Sequence, residues 1–268
     1  MRFALLGSGS EGNALVVQAG GTAVLMDCGF SVAETVARLA RLGLEAAQLA
    51  GIIVTHEHSD HISGVIRLAR QHALPVWMTH GTLRAQLGQT GQLGQLDKMG
   101  DLPDITEIDP HTPFTIGDVR VRPYIVPHDA AEPVQYVFGG DGAPKLGVLT
   151  DAGCATPHIE DMLHGCDALV LECNHDEAML ADGDYPYFLK QRVGGRMGHL
   201  SNAEAARLLA RLDTSRLKHI AAAHLSRKNN TPELAVAALS AALGCEREWI
   251  AVATQEEGLQ WREMTAVR

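Results

Sequence analysis

Aromatic residues are scarce in this chain: Phe, Trp and Tyr make up only 4% of its 268 residues, which leaves Ala, Leu and Val to carry the interior. Cysteine is sparse too. Cys28, Cys154, Cys166, Cys173 and Cys245 are odd in number and never form C-x-x-C, which argues against a disulfide framework or a cysteine-rich zinc site and for a reducing compartment. No stretch reaches the roughly 20 apolar residues of a membrane span, and residues 1–7 are too short an apolar run for a signal peptide. A cytoplasmic protein without a membrane partner is expected. Positive charge is in deficit, with 22 Lys and Arg against 32 Asp and Glu and a net charge of −10, so bulk charge gives no grip on nucleic acid. Linkers, low-complexity segments and repeats are also missing. Together with a hydrophobic content of 46%, their absence predicts a single domain over 1–268 with a substantial core.

What is present centres on residues 52–61. The β-branched run Ile52-Ile53-Val54 predicts a buried strand, and it ends abruptly in His56-Glu57-His58-Ser59-Asp60-His61. One histidine after a strand reads as a solvated loop. Three imidazoles and a carboxylate within six residues are costly beside an apolar strand unless a cation pairs with them, and a divalent metal suits those donors. His56 and His58, two apart in an extended turn, can face one ion, while Asp60 and His61 can reach a second. Two-metal hydrolytic sites hold their ions roughly 3.5–4 Å apart.

Around this motif the pattern predicts strands over 2–6 and 13–18 and a third ending at Asp27, an antiparallel meander around the loop Gly7-Ser8-Gly9-Ser10-Glu11-Gly12. Ser31-Val32-Ala33-Glu34 is a capping box opening a helix that ends near Gly43. A helix over 62–72, a strand at 76–78 and a helix from Thr82 follow, and then a flexible glycine-rich connector or lid over 88–104. Strands are expected at 105–108, 114–125, 134–138 and 145–150, then at 168–172 after a short helix. A helix over 203–212, a strand at 219–223, a helix over 232–243 and strands at 249–253 and 258–262 complete the chain. Two halves that each run strands-then-helices predict an α/β fold of two sheets with helices outside.

Later polar residues also close strands: His128 after 121–126, Asp151 after 145–150, and His224 after 219–223. Gly198-His199-Leu200-Ser201-Asn202-Ala203-Glu204 contains a second capping box, which sets His199 just before a positively polarised helix N-terminus. That position favours a substrate phosphate and allows a histidine to protonate a leaving oxygen. Between 190 and 228, nine basic residues face only Glu204 and Asp213, a local +7 suited to a phosphate-bearing substrate. The other histidines, His72, His80, His111, His158, His164 and His219, fit no motif and read as surface or helix positions.

His56-x-His58-x-Asp60-His61 resembles the signature of the metallo-β-lactamase-fold hydrolases. Five further segments look like the YycJ (WalJ) branch, whose members are related to ribonucleases Z and J. They are Ser8-Gly9-Ser10-x-Gly12-Asn13, Glu172-x-Asn174-His175-Asp176, Tyr185-Pro186-x-x-Leu189-Lys190-x-Arg192, Gly198-His199-Leu200-Ser201-Asn202 and His224-Leu225-Ser226-x-x-Asn229-Asn230. The resemblance implies a four-layer αββα sandwich with a dinuclear site. His56, His58 and His128 would bind one ion, Asp60, His61 and His224 the other, with Asp151 bridging. The ions would be Zn²⁺ or Mn²⁺. It also implies a metal-dependent phosphodiesterase, a nuclease or 5′-exonuclease directed at DNA ahead of RNA, that attacks phosphorus with a hydroxide held between the metals. Asp60, His199 and Glu172 would be catalytic. Asn13, Asn174, His175, Lys190, Arg192, Ser226, Arg227 and Asn229 would contact substrate. A small-molecule phosphodiesterase, a thioester or lactam hydrolase and a non-catalytic metal-stabilised binding module stand as alternatives. Oligomeric state is left open.

Overall fold

The computed structural model describes residues 1–89 and 103–265. The chain opens with the antiparallel meander β1 (Arg2–Gly7), β2 (Ala14–Ala19) and β3 (Thr22–Met26), followed by helix α1 (Val32–Arg41). Next come β4 (Leu49–Ile53), α2 (Ser59–Ile62), α3 (Val65–His72), β5 (Val76–Thr79), α4 (His80–Gln89) and β6 (Ile105–Ile108). These strands and the last one, β14 (Leu259–Glu263), form a seven-stranded sheet in the order β14-β1-β2-β3-β4-β5-β6. The second half supplies β7 (Phe114–Ile116), β8 (Val119–Ile125), β9 (Val134–Gly139), β10 (Lys145–Leu149), α5 (Pro157–Leu163) and β11 (Ala168–Glu172). It continues through α6 (Glu177–Asp182), α7 (Tyr187–Val193), α8 (Asn202–Arg211), β12 (His219–Ala223), α9 (Pro232–Leu243) and β13 (Ile250–Val252). Its sheet also has seven strands, in the order β13-β12-β11-β10-β9-β8-β7.

Three apolar layers hold these parts. Inward-facing residues of both sheets, such as Phe3, Val24, Ile53, Tyr136, Phe138 and Val170, interdigitate between the sheets. Leu39 of α1 and Val65 and Leu68 of α3 cover the outer face of the first sheet. Ile159 of α5, Leu208 and Leu209 of α8 and Leu239 of α9 cover the second. The result is the expected αββα sandwich. Strands β3 to β6 run parallel, as do β10 to β13. Open parallel sheets bind ligands outside their strands' C-terminal ends, and here two such edges meet.

Several local expectations need correction. The strand expected over 114–125 is a hairpin, β7 and β8, reversing at Gly117-Asp118, where Gly117 takes φ +52°. The helix expected over 62–72 begins earlier, as α2, and breaks before α3. Gly64 donates its N–H to Cys28 O at 2.8 Å, and a Cβ there would lie 2.1 Å from the Phe30 carbonyl. Helices α6 and α7 were not expected. His219 is a strand residue, its Nε2 3.0 Å from the Glu263 carbonyl. The glycine-rich connector expected over 88–104 falls, from 90 to 102, outside the described residues. Among the described residues no helix is long and apolar enough to cross a membrane.

Candidate metal centre

The residues singled out along the chain converge where the two parallel edges meet. The apolar strand β4 delivers His56 and His58, and α2 carries Asp60 and His61 on its first turn, with His58 as N-cap. His128 follows β8, Asp151 follows β10, and His224 follows β12. Asp151 and His224 adopt left-handed conformations, φ 53° and 56°, uncommon without glycine. The ligand-capable atoms of His56, His58 and His128 lie within 4.8 Å of one another, as do those of Asp60, His61, Asp151 and His224.

Four of the five imidazoles are oriented by a bond on the far side. His61 Nδ1 lies 2.9 Å from Asp27 Oδ2, which directs its Nε2 toward Asp60 Oδ2 at 3.4 Å and Asp151 Oδ2 at 3.1 Å. His224 Nδ1 lies 3.0 Å from Glu172 Oε1, and its Nε2 faces Asp60 and Asp151, each at 3.5 Å. His128 Nδ1 sits 3.0 Å from the Gly198 carbonyl. Thr55 Oγ1 donates to Asp27 Oδ2 at 2.8 Å, so at 2.9 Å it accepts the Nδ1–H of His56. These partners fix the ring orientations and aim the inner nitrogens into the cluster. Among the described residues, two inner atoms have no protein partner: His56 Nε2, and Asp151 Oδ2, which is close to His61 without hydrogen-bond alignment. Buried polar atoms left unpaired are costly, and these point into a cluster of further donors. The donor set therefore fits divalent cations, with imidazole and carboxylate present in the ratio that zinc or manganese accepts.

Electrostatics agree. Burial and the neighbouring His61 push His56 well below the usual imidazole range, and burial also lowers His128, so both stay neutral with lone pairs available. Burial alone would also discharge His61 and His224. The Asp151 carboxylate, reinforced by Asp60 at both and by Asp27 and Glu172 respectively, reverses the effect, holding His61 well above that range and His224 up to about 10. Burial opposes ionisation of Asp60 and Asp151 too, but the surrounding histidines hold both below the usual carboxylate range.

Beside the cluster, His199 Nδ1 lies 2.9 Å from Glu172 Oε1 and 3.6 Å from Asp151 Oδ1, with its side chain 21% exposed. Glu172 is fully buried, and its other oxygen accepts the N–H groups of Ala152 at 3.0 Å and Leu200 at 3.1 Å. Glu172 thus holds both His199 and His224, and its carboxylate lies with Asp151, His199 and His224 in a third set whose ligand-capable atoms are within 4.8 Å of one another. A cleft of about 320 Å³ lies over the cluster, bordered by Ser10, His58, Asp60, Asp151, Arg192 and His199.

Of the eight residues expected at substrate, Arg192 alone lines this cleft, held by Nε on Asp129 Oδ2 at 2.5 Å. Asn13 bonds to Gly9 and reaches Asp60 Oδ2 at 3.2 Å, so it braces the motif. Asn174 donates to the His224 carbonyl at 3.1 Å, and Ser226 accepts the N–H of Asn229 at 3.2 Å, which makes all three buried supports of the His224 turn. Arg227 pairs with Glu11 at 2.6 Å and also with Glu256, away from the cleft. His175 and Lys190 line a neighbouring cavity, the Lys190 ammonium donating to the Ala181 carbonyl at 2.5 Å. The +7 face is largely neutralised: Arg207 faces Glu177 and Glu204, Arg211 pairs with Glu160 and Arg216 with Asp167. Asp27 and Thr55 were missed. The only sequence signal for Asp27 is an acid closing the apolar run of β3.

Two stacked sheets with a histidine–carboxylate cluster at their parallel edges define a metal-binding hydrolase fold, and the beta-lactamase superfamily domain model matches residues 22–220. Exodeoxyribonuclease YycJ of Bacillus anthracis is 38% identical over 91% of this chain and 89% of its own length. Exodeoxyribonuclease WalJ of Streptococcus pneumoniae serotype 2 is 34% identical over 87% of this chain and 85% of its own. Among solved structures, the metallo-beta-lactamase fold protein YhfI from Bacillus subtilis superposes with a TM-score of 0.72, covering 97% of this chain and 98% of that one at 18% identity. The chain belongs to the YycJ (WalJ) family of the beta-lactamase superfamily.

Proposed function

We propose that the protein is a metal-dependent exodeoxyribonuclease, its whole chain acting as one domain in the cytoplasm. His56, His58 and His128 are the residues to hold one divalent ion, and Asp60, His61 and His224 a second, with Asp151 reaching both sets. When bound, such ions supply Lewis acidity: they acidify a water to serve as nucleophile and draw charge from phosphoryl oxygens. Arg192, the cation on the cleft wall, orients the phosphate, and its guanidinium is pre-set by Asp129. His199 gives its proton to the departing oxygen. Burial disfavours its charged form, but the Glu172 carboxylate and its hydrogen bond outweigh burial and raise the His199 pKa above the usual imidazole range. Glu172 is thus a positioning residue and Asp60 a metal ligand of the reacting cleft.

The observation that carries this reading is His199, an imidazole tied at Nδ1 to a buried carboxylate and lining the same cleft as the metal cluster. A thioester site has no need of such a donor, because a thiolate departs without a proton. Similarity to exodeoxyribonucleases over nearly the whole chain favours DNA as the polymer. The test is hydrolysis of 5′-phosphorylated duplex DNA and of matched RNA, with Mn²⁺ or Zn²⁺, beside Asp151→Ala and His199→Ala. Metal-dependent DNA degradation lost in both variants is the expected result. Cleavage of a small phosphodiester with neither polymer degraded would move the assignment to small-molecule hydrolysis.

A further inference from the structure

Helix α7 has no buried residue, yet it is walled in on two sides. Leu189, Arg192 and Val193 line the metal cleft, whereas Tyr187, Lys190 and Gln191 line a second cavity of about 580 Å³. His199 borders both, so the helix is a partition and the proton donor stands in its gap. We infer that the second cavity is the subsite for the nucleoside carrying the departing oxygen. This deepens the nuclease reading above and rests on it.

Three features select that occupant. The volume falls within the roughly 300–1,000 Å³ range of small-molecule sites, enough for one nucleoside and too little for a duplex. Its charged lining is balanced: Glu177 and Glu204 stand against Lys190 and His199, both carboxylates face Arg207, and the Lys190 ammonium is already bonded to a carbonyl. Such a wall does not select a phosphate, and its carboxylates accept hydrogen bonds from sugar hydroxyls and exocyclic amines. Aromatic surface is the third. The chain has only four tyrosines. Tyr124 and Tyr136 are fully buried in the core, whereas Tyr185 and Tyr187 line this cavity, Tyr187 with 77% exposure. An aromatic ring left in water on a helix that contributes nothing to the core is placed for stacking, and stacking on a base is tolerant of sequence. The buried His175, whose Nδ1 has no hydrogen-bond partner among the described residues, adds a polar group to the same lining.

Two measurements test the subsite. First, deoxyadenosine is titrated into the metal-free protein and followed by calorimetry. Saturable binding is expected, weakened roughly 10-fold by Tyr187→Ala and retained by Tyr187→Trp. Equal binding by the wild type and Tyr187→Ala overturns the proposal. Tyr187 is exposed, so loss of folding does not cloud the comparison. Second, metal-loaded protein is given DNA whose departing nucleoside is intact or abasic. The wild type is expected to prefer the intact end about 10-fold and Tyr187→Ala to lose that preference, and equal cleavage of both ends by the wild type overturns it. If neither DNA is cut, the nuclease reading fails, and the titration alone decides whether the cavity takes a nucleoside.

Discussion

The Nδ1 of His199 lies 2.9 Å from Oε1 of Glu172, a carboxylate with no exposure to solvent. That contact fixes the imidazole at the border of the cleft and holds its proton more firmly. His199→Ala is expected to lower kcat on DNA by roughly 10²–10⁴-fold, the usual worth of a positioned proton donor. The loss should be far smaller with a p-nitrophenyl phosphodiester, whose leaving group departs without a proton. Equal losses on both substrates would remove His199 from that role.

Glu172 serves two histidines at once, since its Oε1 also lies 3.0 Å from Nδ1 of His224. Burial opposes its ionisation, but the charge and hydrogen bonds of His199 and the bond from His224 hold its pKa down to about 2. Glu172→Gln removes the charge that raises the His199 pKa. A general acid works below its pKa and fails above it, so the alkaline fall in kcat should begin at lower pH in the variant. Metal affinity should drop about 10–100-fold as well, because His224 loses its orienting partner. A purely structural role would lower activity without moving the pH profile, which a rate measurement over pH 5–10 distinguishes.

The metal-free centre holds protons that a cation must displace. His224, with a pKa of about 10, and His61, held well above its usual range, are both charged at neutral pH. Metal loading should therefore release protons and weaken as pH falls. The same shifts set the stability of the metal-free chain. A raised imidazole pKa stabilises fully below the unfolded value of about 6.5 and loses that contribution as pH rises through the folded value, here about 10 for His224. The metal-free melting temperature should thus fall between those limits. Calorimetric titration with Zn²⁺ in buffers of different ionisation enthalpy checks the first part, and a heat independent of buffer at pH 7 would refute it.

The metal cluster was legible because each member ends an apolar run: His56 after Ile52-Ile53-Val54, Asp151 after β10, His224 after β12. Period-two apolar strands locate their own ends, and polar residues collected there need a reason. Asp27 ends such a run too, but a lone acid beside Cys28 carries no metal signature until His61 and Thr55 are seen bonded to it. Helices α6 and α7 escaped for the opposite reason. Gly183, Asp184 and Pro186 break the chain between them, and α7 buries nothing, so no apolar period marks it. Asn13, Asn174 and Arg227 lie outside the cleft lining, because a polar residue near a motif can face the cleft or brace it. Only the partner atoms decide, and for these three the partners are Asp60, the His224 carbonyl and Glu11 with Glu256.

Close backbone approach under the motif gives the sharpest test of how the centre is held. Asn13 N–H donates to the Asp60 carbonyl at 2.7 Å, and Cys28 N–H to the His61 carbonyl at 2.7 Å, so the loop before β2 and the segment after β3 together grip α2. Gly29 lies in that grip, where a Cβ would sit 1.8 Å from the Asp60 carbonyl oxygen and 2.9 Å from the Asn13 nitrogen. Both obstacles are backbone, so no side-chain rotation relieves them. Gly29→Ala must push the Asp60–His61 turn away from β3, breaking the bonds that aim Asp60 and His61 and moving two donors of the second ion set. Overpacking of this kind costs typically 1–3 kcal/mol or more, and the displaced turn should bind metal less completely than the loss of stability alone explains. Gly21→Ala is the control, because a Cβ there meets nothing within 4 Å. Thermal unfolding and zinc content are the measurements. Gly21→Ala should match the wild type in both, and Gly29→Ala should melt earlier and retain substoichiometric zinc even where it remains folded. Full zinc occupancy in folded Gly29→Ala would mean that the turn does not depend on the approach of Gly29 to Asp60.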